Sequence, residues 1–214
     1  MTPITCYLDF ISPYAYLAFE ALPQALQGLN QRVIYKPVLF AGLLKHHGQL
    51  GPAEIAGKRD WTYRQVLWQA RAHGVPLDLP QAHPFNPLGL LRLSLACEAE
   101  APHTGEVSRY VCERIFHHVW RGGAAADDAG RLAELTQALA PAHSPDAPEV
   151  KAALKANTDA AIALGLFGVP SFVVDGQVFW GLDALPLLRA FLDGDQFFDG
   201  PWQQAARVTQ GVRR

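Results

Sequence analysis

The stretch DFISPYAYL, residues 9–17, joins the end of a short β-type run to the start of a helical pattern. The run itself is ITCYLDF, residues 4–10. From Tyr14 to Ala25, apolar residues recur at three- and four-residue spacing, as they do on one face of a helix. Ser12 and Pro13 lie on the boundary, where serine is a preferred N-cap and proline a preferred first helical residue. The stretch therefore predicts a strand, a tight turn and a helix in direct succession.

The rest of the chain predicts β-structure at both ends and helices between them. RVIYKPVLF (32–40) is a second strand candidate, and SFVVDGQVFW (171–180) contains two short strands joined by a hairpin turn at Asp175-Gly176. An amphipathic helix over 181–192 follows, with Asp183 as its N-cap. Pro23 is expected to kink the first helix or to start a second segment. The intervening helices are predicted near 41–47, 60–73, 87–100, 104–121, 127–140 and 148–164.

This order predicts an α/β domain that is discontinuous in sequence. Residues 1–40 and 165–195 are expected to form one sheet with its helices, residues 41–164 an all-helical insertion, and residues 196–214 a C-terminal tail.

Composition excludes several classes of protein. The chain has 214 residues, half of them hydrophobic, and a net charge of −2, so we expect a globular domain that binds neither nucleic acid nor a membrane. The N-terminus MTPITCYLDF lacks the basic and long apolar regions of a signal peptide, and a cytoplasmic location is expected.

The three cysteines predict no disulfide framework and no zinc site. Cys6, Cys97 and Cys112 are odd in number, widely spaced and without a CxxC motif, so we expect small buried apolar side chains. The histidines form no HExxH pattern, and no metal is expected.

The motifs at the two ends resemble those of the thioredoxin fold with a helical insertion, as in DsbA-like proteins. In that branch a Cys-Pro-His-Cys motif occupies the strand-to-helix junction, where this chain has Ser12-Pro13-Tyr14-Ala15. Gly168-Val169-Pro170-Ser171 resembles the segment that contains the family's cis-proline. With HPFNPLGLLRL (83–93) and GVPSFVVDGQVFWGLD (168–183), the chain is similar to 2-hydroxychromene-2-carboxylate isomerases and kappa-class glutathione transferases over residues 4–192.

The junction excludes dithiol chemistry. Disulfide exchange needs an attacking and a resolving thiol, and neither Ser12 nor Ala15 supplies one. The resemblance implies instead that Ser12 is the catalytic residue, which holds glutathione as a thiolate. A helix cap alone is the alternative role for Ser12, and the two roles are compatible.

The resemblance also implies how glutathione is bound. A cis bond before Pro170 would let the Val169 backbone pair with the cysteinyl unit of the tripeptide. The N–H groups of Asp183 and Ala184 would hold the γ-glutamyl carboxylate, with Leu182 as a wall. Each of these residues also has an ordinary structural role as a loop, cap or core residue.

A cation is expected for the glycyl carboxylate. Lys58 is the nearest match to the family pattern, with Arg59 as the alternative, although an isolated lysine is usually a solvated surface residue.

The substrate pocket is expected to include Tyr14, Gln49, Asn86 and Trp180. Gln49 follows Gly48 where related enzymes have Asn, which weakens any account of how the substrate carbonyl is held. Asn86 has a turn role as an equal alternative.

Three functions remain open. The first is a glutathione-dependent isomerase for an aromatic 2-hydroxychromene-type acid, in aromatic compound catabolism. The second is a kappa-like transferase or peroxidase, and the third is a binding module without chemistry. The resemblance suggests a homodimer.

Overall fold

In the computed structural model, which describes residues 3–205, 207–209 and 211, β-structure lies at both ends of the chain, as predicted. The strands are β1 (Ile4–Leu8), β2 (Val33–Pro37), β3 (Ser171–Val174) and β4 (Gln177–Trp180). They form one sheet in the order β2-β1-β3-β4, in which β1 runs parallel to β2 and antiparallel to β3. The mixed sheet with its helices confirms the thioredoxin-like fold with a helical insertion.

The hairpin between β3 and β4 turns where the sequence predicts. Asp175 and Gly176 have positive φ angles of 46° and 75°, as a two-residue hairpin turn of matching twist requires.

Helix α1 (Pro13–Ala25) continues through Pro23, so the expectation that a second segment starts there is wrong, and the alternative of a kink stays a prediction. A proline at this position removes the N–H that would bond to the carbonyl of Phe19. The guanidinium of Arg109 replaces it, with Nη1 and Nη2 at 3.3 and 3.4 Å from the Phe19 oxygen. The lost helical hydrogen bond is therefore compensated from another helix.

The intervening segment is helical, with boundaries that differ from the prediction. The helix expected at 87–100 spans only Leu88–Ala96, a separate short helix follows at Ala101–Thr104, and the helix expected at 104–121 begins at Arg109, after the Ser108 side chain caps Val111. The helices are α2 (Phe40–His46), α3 (Ala56–His73), α4 (Leu88–Ala96), α5 (Ala101–Thr104), α6 (Arg109–Trp120), α7 (Ala129–Leu139) and α8 (Pro148–Ala163). None of the helices in the described part of the chain is long and apolar enough to cross a membrane.

The predicted N-cap role of Asp183 is wrong. Helix α9 (Leu185–Leu192) is preceded by a single 3₁₀ turn over Leu182–Ala184, and its N-cap is Ala184. An N-cap at 183 would need the N–H of Leu185 or of residue 186. The Leu185 N–H already bonds to the Leu182 carbonyl, and Pro186 has none.

The segment beyond the predicted sheet packs back onto the hairpin. Helix α10 (Pro201–Ala205) places Trp202 against Phe179 of β4, with ring centroids 6.0 Å apart. Its indole Nε1 donates to Gln177 Oε1 at 2.8 Å.

One aromatic cluster connects the sheet to the helical segment. Phe116 of α6 lies 5.0 Å from Phe10 and 5.1 Å from Phe19 between ring centroids, and all three are fully buried. The hydrophobic core therefore runs continuously from β1 and α1 into the inserted helices, and the proposed domain boundaries stay a prediction.

Helix α8 is tied to the sheet by a buried amide. Asn157 Nδ2 donates to the carbonyls of Pro37, at 3.0 Å, and Gly105, at 2.8 Å. The next residue, Thr158, accepts from the N–H of Leu39 through its hydroxyl at 3.0 Å. These bonds hold the end of β2 and the start of α2 against α8.

We predict that Asn157→Ala lowers the free energy of unfolding by about 1–3 kcal/mol, because it leaves buried carbonyl groups without donors. Urea denaturation of the full chain measures this. Lys155→Ala, on the exposed face of the same helix, is the control and should change stability by less than about 0.5 kcal/mol. Equal losses in the two variants would contradict the role given to Asn157.

Candidate active site

The ends of three strands meet at one edge of the sheet. Tyr7 in β1 pairs with Ser171 at the start of β3, and Ser171 pairs with Trp180 at the end of β4. The turn after β1, which carries Ser12, therefore lies beside Pro170, which precedes β3. Sequence positions near 12, 170 and 180 come together because of this register.

Ser12 is the N-cap of α1, and its side chain is buried between two backbone groups. Its Oγ accepts from the Ala15 N–H at 3.2 Å and donates to the Val169 carbonyl at 3.3 Å. The hydroxyl thus lies at the positive end of a thirteen-residue helix and reaches the loop before β3.

The Val169–Pro170 peptide bond is cis, as the resemblance implies. The Val169 carbonyl is occupied by Ser12, whereas its N–H has no acceptor among the residues that the structure describes. A peptide in this position could accept from the Val169 N–H directly. It could donate to the Val169 carbonyl only after the Ser12 hydroxyl had rotated away from it.

Tyr14 connects the start of α1 to α3. Its hydroxyl donates to Gln65 Oε1 at 2.6 Å. Burial raises the pKa of Tyr14, the Thr62 side chain opposes the rise, and the Asp183 carboxylate adds to it. The 3₁₀ turn that contains Asp183 packs against α1.

The turn over Leu182–Ala184 borders an open groove of about 540 Å³ between α1, α3 and α9. Leu182 is buried, and Asp183 is exposed. The Ala184 N–H is bonded to Gly181 at 3.4 Å, whereas the Asp183 N–H has no acceptor in the described chain. Of the two amides predicted to hold a carboxylate, only that of Asp183 is free.

Trp180 flanks the same edge at the end of β4. It is 52 % exposed and packs edge-on against Phe167 at 4.8 Å between centroids. A Cβ at Gly168 would collide with the indole nitrogen of Trp180, so a larger residue at 168 would displace this indole. Trp180 is thus a surface wall of the cis-proline loop rather than a core residue.

No hydrogen bond or ion pair among the described residues joins three further predicted positions to this edge. Lys58 and Gln49 are exposed, and their side chains form no hydrogen bond or ion pair within residues 3–205. Asn86 is exposed and its Oδ1 accepts from the Leu88 N–H at 3.1 Å, which is the turn role. Their roles toward a ligand stay predictions.

Asp9 is a residue of this site that the sequence did not predict. It is fully buried, and its carboxylate accepts from the N–H groups of Ile11, at 3.1 Å, and Phe40, at 2.9 Å. Burial raises the pKa of Asp9 to about 7, against the hydrogen bonds from Phe40, Ile11 and Phe10. A lone carboxylate inside the apolar run YLDFI was the available signal.

His83 and Trp120 were also missed, and both belong to the inserted segment. His83 Nε2 lies 2.8 Å from the Ile11 carbonyl, and Trp120 Nε1 donates to the Phe10 carbonyl at 2.9 Å. Both residues are far from Ser12 in sequence, and the motif HPFNPLGLLRL, although it begins at His83, does not indicate that the imidazole contacts the turn before Ser12.

The thiols of the chain lie away from the α1 N-terminus. Burial raises the pKa of Cys6 to about 12 and that of Cys97 to about 11, and it raises the pKa of Cys112 as well. Cys6 and Cys112 are buried, as expected, whereas Cys97 is only half-buried because it caps the C-terminus of α4. These thiols are poor nucleophiles.

One group of side chains has the geometry of a metal site. Ligand atoms of Glu20, Glu113 and His117 lie within 4.8 Å of one another. Glu20 already bonds to His117 at 2.8 Å and to Arg121 at 3.3 Å. The guanidinium disfavours a cation here, and the group is best described as an ion-pair network.

Comparisons with known proteins agree with this fold. The sequence pattern of the DSBA-like thioredoxin domain matches residues 3–193. Glutathione S-transferase kappa 2 of Caenorhabditis elegans is 27% identical, over 92% of this chain and 94% of that protein. A 2-hydroxychromene-2-carboxylate isomerase of Pseudomonas putida is 26% identical, over 86% and 91%. A solved 2-hydroxychromene-2-carboxylate isomerase superposes with a TM-score of 0.74 at 23% identity, over 96% of this chain and 99% of that one.

We predict that Asp9 makes stability depend on pH. Because its folded pKa of about 7 exceeds the ordinary value of 3.8, the protonated carboxyl stabilises the fold below about pH 4, and this contribution is lost as the pH rises through 7. In urea denaturation, the stability of wild type relative to Asp9→Asn should fall by about 2.6 kcal/mol between pH 5 and pH 8. Asp127→Asn, at an exposed position, is the control for removing one carboxylate. A difference that stayed constant across this range would contradict the raised pKa.

Proposed function

The chain belongs to the family of DSBA-like thioredoxin domains, and on that premise we propose that it is a glutathione-dependent isomerase of the 2-hydroxychromene-2-carboxylate type. The observation that carries the proposal is the Ser12 hydroxyl, which lies at the N-terminus of α1 and touches the cis-proline loop. The similarity to enzymes with that name, and to kappa-class transferases, supports the same class of chemistry.

The residues present fit glutathione. Its thiolate would accept from Ser12 Oγ, and its cysteinyl unit would pair with the free N–H of Val169. The free N–H of Asp183 is available for the γ-glutamyl carboxylate, and the Asp183 carboxylate for its ammonium. Leu182 would lie against the γ-glutamyl end of glutathione. Ala184 would act indirectly, since its N–H bond to Gly181 helps to hold the turn that presents the Asp183 amide.

Bound glutathione supplies a thiolate that adds reversibly to a conjugated carbon, so that a double bond becomes single and rotates before the thiol leaves. In the ligand-free chain, Ser12 Oγ donates to Val169. On binding, this proton would turn toward the sulfur, which releases the Val169 carbonyl for the peptide. The Ala15 N–H would keep its bond to Oγ, so Ser12 would remain the helix cap while its hydroxyl donates a hydrogen bond to the thiolate.

The energies are sufficient for this role. A cysteine thiol has a pKa near 8.5, and lowering it by about two units requires roughly 2.7 kcal/mol. A hydrogen bond to a charged group contributes about 1.5–3 kcal/mol, and a helix N-terminus about 0.3–1 kcal/mol more. One serine at this position therefore accounts for an ionised thiol near neutral pH.

We also propose contacts around the substrate and at the glycyl end of glutathione. Tyr14 and Trp180 border the expected electrophile site beside Ser12, and Gln49 and Asn86 are proposed to lie on its far side. For the glycyl carboxylate we propose Lys58, in the first turn of α3, with Arg59 as the alternative. We further propose a small aromatic acid as the substrate and a cytoplasmic location.

A homodimer is proposed from the family resemblance. Helix α3 presents Trp61 and Trp68, 65 % and 66 % exposed, one heptad apart on the same face. These two exposed indole side chains support an association between two copies of the chain.

A kappa-like transferase or peroxidase is the second candidate, because the relative from Caenorhabditis elegans is as similar as the isomerases are. Both functions need the same thiolate, and they differ in what happens to glutathione. A binding module without chemistry is the third, and it predicts that Ser12 acts only as a cap.

We predict that Ser12→Ala raises the pKa of the bound glutathione thiol by about 1–2 units, because the charge-assisted hydrogen bond is lost. Titration of the ultraviolet thiolate absorbance across pH measures it. Ser108→Ala removes the equivalent cap of α6, at 3.3 Å from the Val111 N–H, and is the matched control that should leave the thiol pKa unchanged. If wild type binds no glutathione, or if the two variants behave alike, Ser12 is a cap only.

The isomerase and transferase predict different products. With a 2-hydroxychromene-2-carboxylate and substoichiometric glutathione, we expect many turnovers of isomer per glutathione, with all glutathione recovered as free thiol and little isomerisation by Ser12→Ala. Chromatography of products and thiols measures both. Glutathione found in a conjugate or as disulfide, in proportion to product, would exclude the isomerase and favour the transferase or peroxidase.

A further inference from the structure

The turn from Asp9 to Ser12 is held by side chains of the inserted segment, one from α6 and one from the loop between α3 and α4, and not by the thioredoxin-like part alone. Trp120 Nε1 donates to the Phe10 carbonyl at 2.9 Å, and His83 Nε2 lies 2.8 Å from the Ile11 carbonyl. The Ile11 carbonyl belongs to the peptide group that leads directly into Ser12. The orientation of this peptide therefore depends on the imidazole of His83.

The tautomer of His83 follows from its neighbours. A carbonyl only accepts, so Nε2 carries the proton that is shared with Ile11. On the other side, Nδ1 lies 2.8 Å from the hydroxyl of Tyr63, which also lies 3.0 Å from the His83 carbonyl. Burial lowers the pKa of His83, which keeps the ring neutral, and the bond to Ile11 opposes this. Tyr63 can thus donate to Nδ1 while Nε2 donates to the turn.

The ring is also fixed in orientation by packing. Its centroid lies 5.5 Å from that of Trp120 and 6.0 Å from that of Phe85. His83 and Trp120 contact each other and bond to successive carbonyls of the same turn. This makes a rigid support behind Ser12, built from residues of the insertion.

We propose that His83 is a positioning residue for the thiolate site, whose Nε2–H fixes the Ile11–Ser12 peptide and so aims the Ser12 hydroxyl. The predicted effect on the ionisation of bound glutathione rests on the proposed function. The predicted effect on the position of the turn does not. Tyr63 acts through His83 by holding the tautomer.

The test uses full-length variants and two measurements. The first is hydrogen exchange of the Ser12 amide, which bonds to the Asp9 carbonyl at 3.1 Å and needs no glutathione. The second is the pKa of the bound glutathione thiol. We expect His83→Ala to speed exchange at Ser12 about tenfold and to raise the thiol pKa by about one unit, because a buried carbonyl loses its donor.

Two variants separate positioning from general destabilisation. His83→Gln retains an N–H donor near the Nε2 position. It should restore the exchange rate at Ser12 to within about twofold of wild type and the thiol pKa to within about 0.3 unit. His118→Ala is the matched control, because His118 also bonds a carbonyl through Nε2, that of Ala126 at 2.9 Å, away from the turn. It should change neither value. If His83→Ala fails to fold, Tyr63→Phe replaces it. This variant should speed exchange at Ser12 about threefold and raise the thiol pKa by about 0.5 unit.

The proposal is overturned if exchange at Ser12 in His83→Ala, or in Tyr63→Phe, equals that in wild type. It is also overturned if His118→Ala speeds exchange at Ser12 as much, or if His83→Gln does not restore it. If wild type binds no glutathione while exchange at Ser12 follows His83, the proposed function fails and the positioning role stands.

Discussion

The hydroxyl of Ser12 joins two segments that are 157 residues apart in sequence. It accepts from the Ala15 N–H in the first turn of α1 and donates to the carbonyl of Val169, in the loop before β3. Both halves of the sheet must be paired, and the loop must be folded, for this contact to exist. The chemistry proposed for the protein is a change of partner for that one proton, from a carbonyl oxygen to a thiolate sulfur.

Serine at this position changes what a thioredoxin-like fold can do. With Ser12 and Ala15 at the strand-to-helix junction, the chain has no thiol pair there, and its three cysteines have raised pKa values elsewhere. The fold still provides a helix N-terminus and a cis-proline loop beside it. In the function proposed here, a borrowed thiol uses both, so that the chain would carry out nucleophilic catalysis without a cysteine of its own.

Local signals predicted much of this structure. Asp175-Gly176 specified the hairpin, and Ser12-Pro13 specified the start of α1, because turn and cap preferences act over a few residues. The signals failed where a distant group intervened. Pro23 does not break α1, because Arg109 supplies the missing donor. Asp183 does not cap α9, because the Leu185 N–H is already bonded to the Leu182 carbonyl and Pro186 has no N–H.

The site shows the same division. Ser12 and Pro170 were identified by motif, whereas the support behind them was not. Asp9, His83 and Trp120 bond to backbone groups of a turn that only the tertiary fold brings to them. Hydrogen bonds of this kind leave no periodic trace in the sequence. The inserted helices therefore contribute to the site from behind as well as bordering its open side.

The central claim is tested most directly by a crystal structure of the protein with bound glutathione. The account predicts that the glutathione sulfur lies within hydrogen-bonding distance of Ser12 Oγ, and that the cysteinyl unit pairs with both backbone groups of Val169. It also predicts that the Ser12–Val169 bond is broken while the Ser12–Ala15 bond remains. Glutathione bound elsewhere, or a Ser12 hydroxyl still donating to Val169 with glutathione present, would contradict it.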